Sequence, residues 1–156
     1  MILSIITINL DNLSGLANTH SSLKALLFDP TSTWFQWIIV DSRSTDGSLN
    51  YIEAISCSDP RIIHVNHTDS GIYDAMHLGL SASSAEFVYF LNSGDRIEGD
   101  LSALQKIDSP LIFPSISESG VIRPFINSSL VGLPTSHQSI VFRRESLAIS
   151  HKYKIC

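Results

Sequence analysis

Two aspartates stand at the ends of apolar segments, where a side chain is free to do chemistry. Asp41 closes segment 38–41, and Asp95 closes the polar segment 92–95 that follows an apolar run. An aspartate at the end of a strand can accept hydrogen bonds from a base or a ribose. A carboxylate on a glycine-containing turn can give Mg²⁺ or Mn²⁺ one ligand, with diphosphate oxygens and water completing the shell. Such a metal offsets the charge that develops on a leaving diphosphate.

Each of these segments also has a purely structural interpretation. Asn, Ser, Gly and Asp are all common turn formers, so segment 92–95 alone could be an ordinary turn. Asp46, within segment 44–48, could be only a helix cap, and Asp41 could be only a turn residue. We favour the structural interpretation for Asp46 and the functional interpretation for Asp41.

A third polar segment, residues 69–79, combines helix-capping and site-forming side chains. Asp69 or Ser70 can cap a helix that starts near Gly71. Tyr73, Asp74 and His77 share the helix face opposite the apolar stripe. A helix that only packs in a core does not need this polar trio, so we predict a role at the site. The alternative is a solvated face.

Histidines give weaker signals. His137 and Gln138 enter a predicted strand and could bind a hydroxylated acceptor or a phosphate, while an ordinary polar loop is an equal alternative. His20 lies on an apolar helical stripe and is predicted to be a core histidine with its own hydrogen-bond partner. No spacing among the histidines indicates a metal cluster.

Alternating strand and helix patterns position these segments. Apolar runs predict buried strands at 2–8, 34–40, 61–65 and 87–91. Between them, apolar stripes predict helices over 13–29, over a segment after residue 48, and over 71–82 with Ile72, Ala75, Met76 and Gly79 facing inward. Strands are also predicted at 111–113, 121–126 and 139–142, with a hairpin turn at 117–120. This order predicts a parallel, doubly wound sheet, whose ligands bind beyond the carboxyl ends of its strands.

Composition excludes several classes of protein. The chain has 156 residues, 44% of them apolar and 16% charged, which predicts one globular domain. A net charge of −5 without a basic cluster argues against a nucleic-acid partner. Two cysteines are too few for a disulfide framework, which fits a reducing cytoplasm. No apolar run approaches the ~20 residues that span a bilayer, and the N-terminus is typical of a strand, not of a signal peptide.

Taken in order, the segments resemble the family 2 glycosyltransferases, especially those of bacterial surface-polysaccharide clusters. The matching segments are 4–7, 39–41 with 44–47, 69–76, 89–95 and 137–138. The resemblance implies a GT-A fold: a Rossmann-like, mostly parallel α/β sheet with helices on both faces and a mixed C-terminal strand region. It also implies a single domain over 1–156, with residues 1–100 binding the nucleotide sugar and 101–156 beginning the acceptor side.

The family's activity follows from the resemblance. An acceptor hydroxyl would attack the anomeric carbon of a nucleotide-diphosphate sugar, with inversion and with Mn²⁺ or Mg²⁺ bound, as in bacterial capsule, O-antigen or exopolysaccharide synthesis. Asp95 matches the metal ligand of the family's DXD-type motif. The other donor-binding positions implied are Thr7, Asn9, Asp41, Asp69, Asp74 and Asn92, and the acceptor-side positions are His137 and Gln138. The resemblance also implies a saccharide or lipid-linked saccharide acceptor. We expect a cytoplasmic protein, and peripheral association with the inner membrane face stays open.

The sequence departs from the family pattern at three places. Gly94 replaces an acid that many relatives use for ribose, and Asn9 replaces an aromatic that stacks on the base. The third is the end of the chain, which stops at Cys156 before the segment that carries the catalytic base in relatives. We therefore expect a C-terminally incomplete domain, assign no general base, and expect that an uncovered apolar patch could promote self-association.

Two other functions compete with this interpretation. The first is a non-catalytic remnant that binds a nucleotide or a partner without turnover. The second is a phospho-acceptor receiver domain with Asp41 as its acceptor. Receivers carry an acidic pair after the first strand, where this sequence has only Asp11, so the second alternative is disfavoured.

Overall fold

Four parallel strands form the centre of the main sheet. The computed structural model describes residues 1–68, 71–99, 101–112, 115–116, 122–123 and 140–148. The strands are β1 (Leu3–Asn9), β2 (Phe35–Asp41), β3 (Ile62–Asn66) and β4 (Phe87–Phe90). They lie in the order β3-β2-β1-β4, with parallel pairing throughout. The predicted parallel sheet is therefore confirmed, and the carboxyl ends of β1, β2 and β4 meet at one edge.

Helices cover both faces of this sheet. They are α1 (Leu13–Ser22), α2 (Lys24–Leu27), α3 (Ser48–Ser58) and α4 (Ile72–Ala82). Apolar side chains of α1 and α3 share one buried cluster with alternate residues of β1 and β2. The intervening residues of the same strands pack against α4 in a second cluster. Because both faces are buried, β1 and β2 need near-continuous apolar sequences, which the chain has.

The second half of the chain adds antiparallel pairing. After a 3₁₀ helix (Leu101–Lys106) come β5 (Leu111–Ile112), β6 (Ser115–Ile116), β7 (Ile122–Arg123), β8 (Ile140–Arg143) and α5 (Arg144–Ala148). β8 is antiparallel to β4 and to β5, which completes the order β3-β2-β1-β4-β8-β5. β6 and β7 pair antiparallel, while the hairpin turn predicted at 117–120 lies outside the described residues.

The predicted inward face of α4 is partly wrong. Ala75 and Gly79 are buried, whereas Ile72 is 47% exposed. Gly79 sits over the middle of the sheet, and Ile72 lies seven residues earlier, roughly 10 Å nearer the carboxyl edge. The first turn of α4 therefore projects toward the ends of the strands, where there is less sheet to cover it. The small residues Ala75 and Gly79 are the fully buried part of this contact, and Met76 packs against the same cluster while partly buried.

Gly79 allows α4 to approach the sheet closely, and a larger residue there should destabilise the fold. A Cβ on Gly79 would overlap the Cγ2 methyl of Ile6 and lie 3.2 Å from Val40 Cγ2. We expect Gly79→Ala to lower the free energy of unfolding by about 1–3 kcal/mol, measured by urea denaturation, because overpacking a tight contact outweighs the better helix propensity of alanine.

The matched control is Ser81→Ala, which places an alanine on an exposed position of the same helix. It should change the free energy of unfolding by no more than about 0.5 kcal/mol. A Gly79→Ala protein as stable as the wild type, or more stable, would show that α4 does not pack this closely.

Candidate functional site

The carboxylate of Asp41 is completely buried where β1 and β2 end side by side. Asp41 pairs with Asn9 across the two strands, and its exposure is 0%. Its Oδ1 accepts a hydrogen bond from the Ser44 amide at 2.8 Å. Its Oδ2 accepts hydrogen bonds from Ser44 Oγ at 2.7 Å and from Asn9 Nδ2 at 2.8 Å. These donors replace the water that a buried carboxylate loses.

A second layer of hydrogen bonds fastens the loop after β1 to the loop after β2. The Asp11 amide donates to Ser44 Oγ at 2.8 Å, and Asp11 Oδ1 accepts from the Thr45 amide at 2.6 Å. Asp46 Oδ2 accepts from the Leu13 amide at 2.6 Å. Both loops are therefore held in one arrangement around the buried Asp41.

Asp46 does more than the predicted helix cap. Its Oδ1 accepts a hydrogen bond from the amide of Ser48, the first residue of α3, at 3.0 Å. Together with the bond from Leu13, this contact joins the N-termini of α1 and α3. The hydrogen bonds from Ser48 and Leu13 hold the pKa of the exposed Asp46 carboxyl below its usual range. The charged side chain of Asp46 thus connects the two loops, with both of its oxygens accepting backbone hydrogen bonds.

Side chains of α1 and its N-cap residue hold the turn at residues 92–95 through hydrogen bonds. Thr19 Oγ1 accepts a hydrogen bond from the Gly94 amide at 3.0 Å and donates to the Asp95 carbonyl at 2.8 Å. Asn12 Nδ2 donates to the Ser93 carbonyl, and Ser93 Oγ donates to the Asn12 carbonyl, both at 3.2 Å. Helix α1 thus holds the backbone on both sides of the predicted metal ligand.

Gly94 has a conformational reason to be glycine. Its φ is +103°, a region that L side chains rarely adopt. A Cβ at this position would also lie 3.6 Å from Asn12 Nδ2 and 4.0 Å from Gly15 Cα, so the turn lies close against the first turn of α1. The departure from an acidic residue at this position therefore follows from the geometry of the turn.

Asp95 lies half-buried at the end of this turn. Burial and the negative charge of Asp95 together raise the pKa of Tyr89 to about 12. Among the described residues, no group of three or more His, Cys, Asp or Glu side chains could hold a metal ion. The donor set fits a Mg²⁺ or Mn²⁺ ion that is held by one carboxylate and by the oxygens of a bound diphosphate. It does not fit a cage built from protein ligands alone.

The remaining predicted residues are spread around this edge. Thr7 is fully buried: its hydroxyl donates to the Leu91 carbonyl at 2.6 Å and accepts from Trp37 Nε1 at 2.8 Å. Asp74 is exposed in the first turn of α4. Asn92 is partly exposed, and its Oδ1 is buried without a hydrogen bond within the part of the chain that the structure describes.

Three of the predicted site residues fall outside the described ranges. They are Asp69, His137 and Gln138. The structure thus brings Asn9 and Asp41 into direct contact, places the Asn92–Asp95 turn beside them on α1, and sets Asp74 on a neighbouring helix. A direct contact of these side chains with a donor stays a prediction.

Sequence reasoning missed the residues that hold the site together. Asn12 and Thr19 act through hydrogen bonds to backbone, which leave no motif. Ser44 lies in the matched segment 44–47, but its contacts with Asp41 and Asn9 were not predicted. One signal for Thr19 was present in the sequence: a polar residue lies between Leu16 and Leu23 on the stripe of α1, where an apolar residue is expected. In the structure, Thr19 is fully buried.

His20 is a partly buried structural histidine, as predicted. Its Nδ1 lies 2.7 Å from the Tyr51 hydroxyl, and its ring centroid lies 5.4 Å from that of Trp37. Burial first, and then the nearby Lys24, lower the pKa of His20 below 6.5. None of the helices in the described part of the chain is long and apolar enough to cross a membrane.

The fold and this edge define a class of protein: the doubly wound α/β domains, in which ligands bind beyond the carboxyl ends of the strands. The sequence model of glycosyl transferase family 2 matches residues 4–107. The chain therefore belongs to glycosyl transferase family 2.

Known proteins agree with this assignment. The chain is 29% identical over 106 residues to the uncharacterized glycosyltransferase Rv1514c of Mycobacterium tuberculosis (strain ATCC 25618 / H37Rv), covering 68% of this chain and 38% of that protein. It superposes on TarS 1–349 of S. aureus, solved in complex with UDP-GlcNAc, with a TM-score of 0.75 and 21% identity, covering 96% of this chain and 47% of TarS 1–349. The GT-A fold is thus confirmed, and the chain spans less than half the length of these relatives.

A mannosyltransferase shares the fold more distantly. PcManGT of Pyrobaculum calidifontis, in complex with GDP-Man and Mn²⁺, matches with a TM-score of 0.57 and 15% identity over 66% of this chain and 30% of that protein. Relatives that share this fold have thus been solved with different nucleotide sugars.

Neutralising Asp41 should weaken the fold itself. In Asp41→Asn, an NH₂ group would face the donors of Ser44 or Asn9, so at least one buried donor loses its acceptor. We expect the free energy of unfolding to fall by about 2 kcal/mol or more, measured by chemical denaturation. Asp108→Asn, an exposed change of the same chemistry, should leave it within about 0.5 kcal/mol of the wild type. Equal stability of Asp41→Asn and Asp108→Asn would contradict the buried cluster.

Titration of His20 should make the fold less stable in mild acid. Because its pKa is lowered in the folded protein, the unfolded chain binds more protons as the pH falls below about 6.5, so the free energy of unfolding decreases there. NMR titration should give His20 a pKa below 6.5, and His20→Gln should remove part of the stability loss between about pH 7.5 and 5.5. A His20 pKa at or above 6.5 would be inconsistent with its burial.

Proposed function

We propose that this chain forms the donor side of a hexosyltransferase-type glycosyltransferase. The enzyme would transfer a sugar from a nucleotide-diphosphate sugar to a hydroxyl of a saccharide or lipid-linked saccharide in bacterial polysaccharide synthesis, with inversion and with Mn²⁺ or Mg²⁺. One observation carries the proposal: the Asp41 cluster and the Asp95 turn lie at the same sheet edge, and side-chain hydrogen bonds fasten both to α1 or its N-terminal loop.

The Asp41 cluster is proposed as the nucleoside side of the site. Asn9 and Asp41 would contact the base and its surroundings, with Thr7 beneath them in the sheet. Both hydrogens of the Asn9 amide are already directed at Asp41 Oδ2 and Ser44 Oγ, at 2.8 and 3.2 Å. The Asn9 amide nitrogen therefore has no free hydrogen, whereas Asn9 Oδ1 is buried without a hydrogen bond from the described residues and keeps its acceptor capacity. A base that presents an N–H group would match it better than one that presents only acceptors.

The Asp95 turn is proposed as the diphosphate side. Asp95 would hold the metal, with Asn92 beside it and Asp74 and Asp69 flanking the donor pocket. When bound, the metal supplies a positive charge that stabilises the departing nucleoside diphosphate. The chain itself contributes the carboxylate and a turn whose backbone is fixed before the ligand arrives, so binding orders little of the protein.

The acceptor side is proposed to begin after residue 100, with His137 and Gln138 near the acceptor. Its hydroxyl oxygen would attack the anomeric carbon from the face opposite the diphosphate, form the new glycosidic bond and break the bond to the leaving group. A carboxylate would take the hydroxyl proton as general base; we assign it to none of the described residues. A lipid-linked acceptor would put this reaction in the cytoplasm, at the inner face of the membrane.

A thermal-shift panel of UDP, GDP, CDP and dTDP, each with and without Mn²⁺, tests the proposal. One nucleotide should raise the melting temperature, and the rise should depend on the metal, because a ligand at 100 times its Kd stabilises the folded state by about 2.7 kcal/mol. Asp95→Asn should remove the metal-dependent part of the rise and keep the fold.

Asp108→Asn is the matched control. Arg143 donates a hydrogen bond to the Asp108 carbonyl and pairs with Phe87 at the start of β4, so Asp108 lies at the opposite edge of the sheet. This variant should keep the metal-dependent shift. No shift with any nucleotide, from a cooperatively folded sample, would overturn the proposal. A shift without release of sugar from the matching nucleotide sugar would indicate the non-catalytic alternative.

A further inference from the structure

Three polar side chains on one side of α1 bind the segment that follows β4. Asn12, Thr19 and Ser22 are spaced by seven and three residues, so they lie along the same face of the helix. Asn12 is the N-cap, and its Oδ1 also accepts the Gly15 amide at 3.0 Å. An α1 that only covered the sheet would be apolar along this face.

Thr19 is the central member of this row, and it is completely buried. Its hydroxyl accepts from the Gly94 amide and donates to the Asp95 carbonyl, so both the hydrogen and a lone pair of Oγ1 are in use. A longer contact of 3.4 Å reaches the Asn92 carbonyl. One side chain thus holds the peptide unit before Gly94 and the peptide unit after Asp95.

Ser22 binds the backbone on the far side of the turn. Its Oγ donates to the Thr19 carbonyl at 2.8 Å and accepts from the Ile97 amide at 3.2 Å. The backbone from Gly94 to Ile97 is therefore attached to α1 before and after Asp95. The Cα of Asp95, and with it the origin of the side chain, cannot be displaced far without breaking at least one of these bonds.

The opposite end of α1 is attached to the nucleoside side of the site. The Leu13 amide, at the first residue of α1, donates to Asp46, and the adjoining Asp11 binds Ser44 and Thr45. Helix α1 and its N-terminal loop therefore contact both the loop after β2 and the turn after β4.

We propose that Thr19 is a positioning residue that presents Asp95 to the metal and, through α1, couples metal binding to nucleotide binding. This inference rests on the proposed function. A metal bound by a single protein carboxylate depends on how well that carboxylate is held, because ordering a mobile ligand subtracts from the binding free energy. Without the Thr19 hydroxyl, the Gly94 amide and the Asp95 carbonyl lose their shared partner, and Asp95 becomes mobile.

The measured quantity is a coupling factor: the Kd of the nucleoside diphosphate without Mn²⁺ divided by its Kd with Mn²⁺, from calorimetric titration of the full chain. The probe is whichever of UDP, GDP, CDP and dTDP binds the wild type most tightly. Thr19→Val keeps the side-chain shape and removes the hydroxyl. We expect it to lower the coupling factor by about threefold to tenfold, the effect of one neutral hydrogen bond, with the metal-free Kd unchanged.

Thr19→Ser restores the hydroxyl and should restore the coupling factor, which a purely packing role of Thr19 would not explain. Amide hydrogen exchange gives a second readout: Gly94 should exchange faster in Thr19→Val and as slowly as wild type in Thr19→Ser. If Thr19→Val does not fold, Ser22→Ala replaces it, with an expected drop of about twofold to fivefold.

The outcomes separate the two proposals. A wild-type protein that binds no nucleotide, or binds one with equal affinity with and without Mn²⁺, overturns the proposed function and this inference with it. A wild-type protein that shows coupling, together with a Thr19→Val protein that shows the same coupling, overturns only the role of Thr19.

Discussion

The buried charge of Asp41 is the constraint on which this edge of the molecule depends. Removing a carboxylate from water costs several kcal/mol unless donors replace the water. Ser44 supplies its amide and its hydroxyl, and Asn9 supplies its amide side chain. To do so, the loop after β2 must fold back over the end of β1. The bonds made by Asp11 and Asp46 then fix the path of both loops.

Helix α1 is the second organising element, because it connects the loops around Asp41 to the turn that ends in Asp95. Its N-terminus is bound by the loops around Asp41, and its buried side carries Thr19 under the turn that ends in Asp95. A Cβ on Gly15 would overlap the side chain of Asn12, which binds the Ser93 carbonyl, so glycine at this position lets Asn12 reach the turn. Substitutions in α1 would therefore act on the site without touching a ligand, and their effects would be mistaken for loss of fold unless binding is measured as well.

Patterns that repeat along the chain were sufficient to predict the parallel sheet, the covering helices and the location of Asp41 and Asp95. The exposure of Ile72 could not be read in this way, because helical spacing places Ile72 with Ala75 and Gly79 and does not say where the sheet stops. The role of Thr19 was also hidden, since its partners are backbone atoms 75 and 76 residues away. Hydrogen bonds of this range depend on how elements pack, and packing is not encoded in local periodicity.

The order of these contacts along the chain has a consequence for biosynthesis. The bonds that join the end of β1 and its loop to the end of β2 and its loop link residues 32–35 positions apart, whereas those that hold the turn join residues 73–81 positions apart. At translation rates of roughly 5–20 residues per second, α1 emerges from the ribosome some seconds before the segment that it will hold. The nascent chain can therefore join the loops after β1 and β2 first. The polar face of α1 stays hydrated until β4, the last parallel strand, has been made.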